Sequence, residues 1–163
     1  MKAIIAGYFN ATPIVGLIIF LSLFLVSCDN QLVFEKNKSL PNRTWNKDYI
    51  LKFNVPVEDT LSAYNFYINL RNSSDYGFCN LQLFLRTLYP DGTDSKDTIE
   101  CIIARADGKW LGKGRNIIDN KILLRRNIRF RKAGIYSFEF NQAMRVDNLT
   151  GVEDFGIRIE TIQ

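Results

Sequence analysis

The chain is 163 residues long, carries 21 Lys and Arg against 17 Asp and Glu for a net charge of +4, and contains no histidine. The missing imidazole excludes Ser-His-Asp and Cys-His nucleophile activation and every histidine-bearing metal site. The small net charge, with both signs mixed along the chain, lacks the basic stripe that nucleic-acid binding requires, so nucleic acid is excluded as a partner.

The N-terminal segment holds an uninterrupted apolar run, Ile14–Val26, that closes on Leu25-Val26-Ser27-Cys28. At ~1.5 Å per residue the run spans only ~20 Å, short of a ~30 Å hydrocarbon core, and Pro13 and Gly16 weaken its upstream end. A removable signal fits better than a transmembrane helix, although Lys2 is the only charge ahead of the run. The box itself has the form of a bacterial lipoprotein processing site. A small Ser27 lets a peptidase reach the bond before Cys28, whose thiol takes a diacylglyceryl group and becomes the mature N-terminus. Two acyl chains bury enough methylenes for durable attachment, so the expected membrane contact is an anchor at Cys28. The expected division is 1–27 signal peptide, 28–46 lipidated N-terminus and tether, and 47–163 folded domain. Cleavage leaves 136 residues with 20 basic and 17 acidic side chains, enough for one ordinary domain.

After the tether, which ends near Pro41 and Trp45, period-two alternation predicts strands almost to the C-terminus. Tyr49, Leu51, Phe53, Val55 and Val57 form one apolar face, and Pro56 marks a sheet edge or strand end. Tyr64, Phe66, Ile68 and Leu70 repeat the pattern. Leu81, Leu83 and Leu85, then Ile99, Cys101 and Ile103, bracket a Pro90-Asp91-Gly92-Thr93 turn and predict a hairpin. With Asp91-Gly92 at its tip, Cys101 faces Gln82 and Cys79 faces Ala104. That offset puts the two Cα atoms near ~10 Å, beyond the ~7 Å limit for a bridge, so two buried thiols are expected. Ile128 and Phe130, then Tyr136, Phe138 and Phe140, then Phe155, Ile157 and Ile159 supply further strand faces, and Gln142–Arg145 is read as a single helical turn. Seven or so short strands predict an all-β fold, an antiparallel β-sandwich of jelly-roll or Greek-key type.

The chemistry-bearing candidates are few. Gly108-Lys109-Trp110-Leu111-Gly112-Lys113-Gly114 invites comparison with a phosphate loop, but three residues separate Gly108 from Gly112 where four are needed, and Gly114 stands where Ser or Thr would hold magnesium. A tight loop with Trp110 folded onto the sandwich accounts for it better. Glu153-Asp154 and Asp97 with Glu100 are the carboxylate pairs a glycosidase would need, and acidic residues beside turns are ordinarily solvated. Asp91, Asp94 and Asp97 lack the spacing of a calcium loop. No cofactor or metal is expected. Arg125, Arg126, Arg129, Arg131 and Lys132 form the one basic concentration, read either as a protected strand edge or as a contact for an anionic partner or lipid head groups. Trp45 and Trp110 are read as core or sheet-end residues, with a sugar-stacking platform as the alternative.

The blocks Tyr64-Asn65-Phe66-Tyr67-Ile68-Asn69-Leu70-Arg71-Asn72, Asn80-Leu81, Pro90-Asp91-Gly92, Asp97-Thr98-Ile99-Glu100, Gly108–Gly114, Gln142-Ala143-Met144-Arg145 and Gly151–Glu160, together with Trp45, resemble the gliding motility lipoproteins of the GldH type. Their order and separation extend the resemblance over nearly the whole mature chain. It implies a lipid-anchored cell-envelope protein, a non-enzymatic accessory or structural part of gliding and of the linked type IX secretion machinery, with other envelope proteins as partners. The lipid attachment site, Cys28, is the position it carries over. Asp29 after that cysteine would mean inner-membrane retention under one group's sorting rule, which need not hold in gliding bacteria; the outer membrane is favoured. The expected partner contacts are Lys109, Trp110 and Lys113 in the glycine-rich loop and Arg125, Arg129 and Arg131 on the basic strand. A lipid-anchored carbohydrate-binding module is the alternative.

Overall fold

The computed structural model describes residues 31–162. The Leu25–Cys28 box lies outside the described residues. Eleven strands run β1 Leu32–Ser39, β2 Thr44–Asn46, β3 Leu51–Val57, β4 Tyr64–Ser73, β5 Asn80–Leu88, β6 Asp94–Ile102, β7 Lys113–Gly114, β8 Ile117–Ile128, β9 Gly134–Gln142, β10 Asn148–Thr150 and β11 Val152–Thr161, with a short 3-10 turn at Pro41–Arg43. They form a five-stranded sheet β1-β11-β4-β8-β7, a four-stranded sheet β3-β9-β5-β6 and a small β2-β10 pair, and every pairing is antiparallel. The two large sheets pack face to face as an all-β sandwich.

Alternation set the faces as expected except at Tyr49, which precedes β3 and is 47% exposed. Leu51, Phe53, Val55 and Val57, then Phe66, Ile68 and Leu70, then Leu81, Leu83 and Leu85, then Phe155, Ile157 and Ile159 all point into one core. Phe155 is its hub. The ring lies 4.9 Å from Trp45, 6.2 Å from Phe53 and 5.0 Å from Phe140, so it joins both large sheets and the β2-β10 pair. Phe66 on β4 meets Phe138 on β9 edge to face at 4.9 Å, the geometry that opposes ring edge to ring face. Trp45 is fully buried and its Nε1 donates to the Tyr49 carbonyl at 2.9 Å. Pro56 sits on β3, an edge strand, where the missing amide leaves no ladder bond unmade.

Four expectations are corrected. The segment read as tether is in the sheet from Leu32 onward: β1 pairs with β11 along its length. As an edge strand it needs little apolar surface, and only Phe34 and Lys38 are partly buried. A Cβ on Gly156, opposite Asn37, would collide with the Asn37 side chain and the Lys36 carbonyl, so this glycine is what lets β1 close on β11. The hairpin register differs by one: Leu81, rather than Gln82, faces Cys101. Tyr89 N donates to Thr93 O at 2.9 Å and Gly92 N to Tyr89 O at 3.0 Å, with Gly92 at φ 84. The tip is therefore the three-residue Pro90-Asp91-Gly92 with a left-handed glycine, a geometry that shifts the ladder by one position relative to a two-residue tip. Both thiols are free as expected, but Cys79 is exposed and only Cys101 is buried, because Cys79 precedes β5 and lies outside the ladder. Finally, Gln142–Arg145 is an open bend where a helical turn was expected. The buried Gln142 side chain organises it, accepting from Met144 N at 2.8 Å and donating to Val146 O at 2.8 Å.

Replacing Phe155 by Ala is expected to destabilise the domain by about 3–5 kcal/mol, the usual range for emptying a buried aromatic site, read as a lower urea midpoint. Burial pushes the Cys101 thiol up to about 12. Iodoacetamide at mildly alkaline pH should therefore label Cys79 and leave Cys101 unmodified until denaturant is added, as mass spectrometry of tryptic peptides would show.

Candidate functional site

The sandwich has two ends, and the connections define them. At one end, here called proximal, the chain enters β1 at Gln31, whose carbonyl accepts from Thr161 N at 2.8 Å. The β3–β4 loop (58–63), the β8–β9 loop (129–133) and the Pro90-Asp91-Gly92 tip belong to the same end, tied by Lys132 Nζ to Asp91 at 2.7 Å and by Ile162 N to Ala63 O at 3.0 Å. At the distal end lie the start of β8, Cys79, the β2-β10 pair and the Gly108–Gly114 loop. Between the ends β8 alone spans roughly 35 Å at ~3.3 Å per residue.

The expected contact residues divide between these ends. Lys109, Trp110 and Lys113 are distal. Gly108, at φ 83, ends a turn in which its N–H donates to Arg105 O at 2.9 Å; Trp110 then bridges to Ala104 and packs half-buried against the core. The segment is a small hairpin feeding β7, and Lys109, Leu111 and Lys113 project into solvent.

Arg125, Arg129 and Arg131 are proximal, but they do not share a strand face. β8 ends at Ile128, and two register shifts against β4 turn Arg125 to the same side as its partner Phe66, toward the other sheet. There it meets Asp97 of β6 at 3.0 Å. Simple alternation over 125–131 would put Arg125, Arg129 and Arg131 on one outward face with Ile128 and Phe130 opposite; it fails because each bulge inserts a residue and reverses the sides. The pair closes the open β8/β6 side of the sandwich over a cleft of about 770 Å³ whose walls include Phe66, Leu85 and Phe138. Inward-turned charge of this kind blunts an exposed edge. Arg126, Arg129 and Arg131 stay in solvent, and no carboxylate of the described residues pairs with them.

The outer face of the five-stranded sheet carries a polar network that sequence reading missed. Arg158 pairs with Glu35 at 2.6 Å and with Glu160 at 2.5 Å, Lys121 pairs with Glu160 at 2.6 Å, and Arg71 joins Asp119 at 2.9 Å and Asp154 at 2.7 Å. Lys121 also lies 4.3 Å above the Tyr67 ring. The only hint in the sequence is that these residues occupy the outward positions of strands whose other face is apolar. Burial pushes the Glu160 carboxyl up, but the hydrogen bonds from Lys121 and Arg158 outweigh it and hold the group below 4.5. Inside, Asn120 donates to Asn72 Oδ1 at 2.9 Å and to Leu70 O at 3.1 Å, a buried polar link between β8 and β4.

The carboxylates considered for acid-base work are each engaged separately. Glu153 pairs with Arg43 and Asp154 with Arg71; Asp97 holds Arg125, and Glu100 accepts from Asn80. Asp91, Asp94 and Asp97 likewise each take a different cation, Lys132, Arg86 and Arg125. A sugar platform is not assembled either, since Trp45 has no exposed ring face.

These features define an all-β sandwich with a self-paired outer face and two separate terminal surfaces. The family model described as GldH lipoprotein matches residues 32–159. The gliding motility lipoprotein GldH of Flavobacterium johnsoniae is 34% identical over 153 residues, covering 89% of this chain and 94% of that protein. A protein of Christiangramia forsetii named a gliding motility lipoprotein GldH homolog is 32% identical over 154 residues, covering 90% and 94%. The chain belongs to the GldH lipoprotein family.

Glu160 gives the polar network a pH signature. Its folded pKa lies below its unfolded value, so its contribution is present above pH 4.5 and is lost as the pH falls from there toward the folded value. Glu160→Gln should cost about 1–3 kcal/mol at neutral pH and flatten the fall of the thermal midpoint below pH 4.5, followed by circular dichroism.

Proposed function

We propose that this protein is a lipid-anchored component of the cell envelope, held through Cys28, that serves as a non-enzymatic accessory part of gliding motility and of the linked type IX secretion machinery. The observation that carries the reading is the family match over residues 32–159, with relatives named as gliding motility lipoproteins. The Leu25–Cys28 box supports the anchor. In this reading the outer membrane holds the two acyl chains and the sandwich stands in the periplasm or at the surface. Confinement to a membrane raises the domain's effective concentration for neighbouring envelope proteins without any new contact.

The outer face of the five-stranded sheet satisfies its own charges, whereas the terminal surfaces carry cations without a partner among the described residues. The distal loop, with Lys109, Trp110 and Lys113, is the protein-contact surface: it is exposed, it carries cations, and Trp110 roots it in the core. Affinity recovery of the tagged protein from fractionated envelopes should bring down other gliding and secretion components. Cys28→Ala should leave the membrane fraction and abolish spreading on agar. Lys109→Glu with Lys113→Glu should keep membrane attachment and lose the recovered proteins. Recovery of polysaccharide-degrading enzymes alone would overturn the reading.

A further inference from the structure

The chain enters β1 at the proximal end, and Gln31 is fixed there by its hydrogen bond to Thr161. Cys28 stands four residues before Leu32, a separation that spans at most about 14 Å of extended chain. Had the tether run to Asn46, the domain could have turned any side to the bilayer. So short a link keeps the proximal end close to the surface that holds the anchor in every orientation, whereas the distal end, roughly 35 Å away along β8, meets that surface only if β8 lies flat on it.

Two independent features gather at the same end. Arg126, Arg129 and Arg131 fall within six residues, all exposed and unpaired among the described residues, while their neighbours Arg125 and Lys132 are taken by Asp97 and Asp91. Leu61, 86% exposed, is the most exposed large hydrophobic side chain among the described residues, and Ile162, whose N–H donates to Ala63 O of the same loop, is 40% exposed. Leu61 is presented by an ordered loop, in which Asp59 accepts from Leu61 N at 2.8 Å and from Ser62 N at 3.1 Å, and Tyr64 Oη donates to Asp59 O at 2.9 Å.

We propose that the proximal end rests on the bilayer that carries the anchor, with Arg126, Arg129 and Arg131 against lipid head-group phosphates and Leu61 and Ile162 entering the head-group layer. The inference rests on the Cys28 anchor. Because two acyl chains already secure attachment, the surface sets orientation: it holds β8 upright and presents the Lys109–Lys113 loop away from the membrane.

The test uses the full acylated protein in vesicles of phosphatidylcholine and phosphatidylglycerol in equal parts, doped with lipid that carries a head-group nitroxide. A fluorophore on Leu61→Cys, in a Cys79→Ser background, should be quenched several-fold more than the same fluorophore on native Cys79, which marks the distal end. Changing Arg126, Arg129 and Arg131 to Ser should reduce the Leu61 signal toward that of Cys79, with circular dichroism unchanged and the protein still floating with the vesicles. Equal quenching of the two probes, or an unquenched Leu61 probe on acylated, floating protein, overturns this orientation and leaves the anchor standing. A mass spectrum without the lipid on Cys28 overturns the anchor and the orientation together.

Discussion

Burial of the Phe155 ring between the two sheets is the contact on which the rest of the structure depends. β11 pairs with both β1 and β4, and its central aromatic touches Trp45, Phe53 and Phe140. One side chain thereby joins the five-stranded sheet, the four-stranded sheet and the β2-β10 pair. Non-directional apolar burial supplies most of the driving force, while the tilted and edge-on ring geometries select one register among the many that would merely bury area. The buried Asn72–Asn120 link adds a directional constraint, since a slipped β8 would break the bond between the two amides and the one from Asn120 to Leu70 O.

A sandwich of two unequal sheets leaves open sides, and each is blunted by a cation turned inward. On one side Lys38 of β1 lies 5.3 Å above the Phe53 ring of β3; on the other Arg125 of β8 pairs with Asp97 of β6. Unpaired backbone on an edge invites further strands, and charge at these positions resists that. The bulges that rotate Arg125 inward interrupt the ladder just before its last pair, Tyr64 with Ile128, and Arg126, Arg129 and Arg131 lie at and beyond this break, at the proximal end. Edge protection and the basic cluster are two consequences of the same backbone irregularity.

The polar outer face has the opposite character. Its carboxylates and cations neutralise one another along four strands, so it offers a partner little unsatisfied charge. The two ends differ in chemistry: arginines unpaired among the described residues with exposed Leu61 and Ile162 at one, and a lysine-bearing loop rooted by Trp110 at the other. Under the proposed anchor at Cys28, a link of four residues to β1 would keep the first of these ends close to the membrane.

Period-two alternation by itself determined β3, β4, β5, β6, β9 and β11, the residues of their buried faces and hence the all-β sandwich, because one-sided burial of a pleated strand leaves a signature in every second residue; β7, β10 and the first eight residues of β8 went unread. The hairpin signal also kept Cys79 and Cys101 apart, while Trp45, read as a core or sheet-end residue, proved to be core. Tertiary structure alone decided what depends on partners distant in sequence. β1 is a strand because β11 supplies its ladder and Gly156 its room, and neither is visible in the polar stretch 32–39. The hairpin register was decided by Gly92 entering the left-handed region, and the direction of Arg125 by bulges against β4. The six expected contact residues were recognisable by type, but their separation to opposite ends of β8 follows from topology, which places residues by pairing rather than by order along the chain.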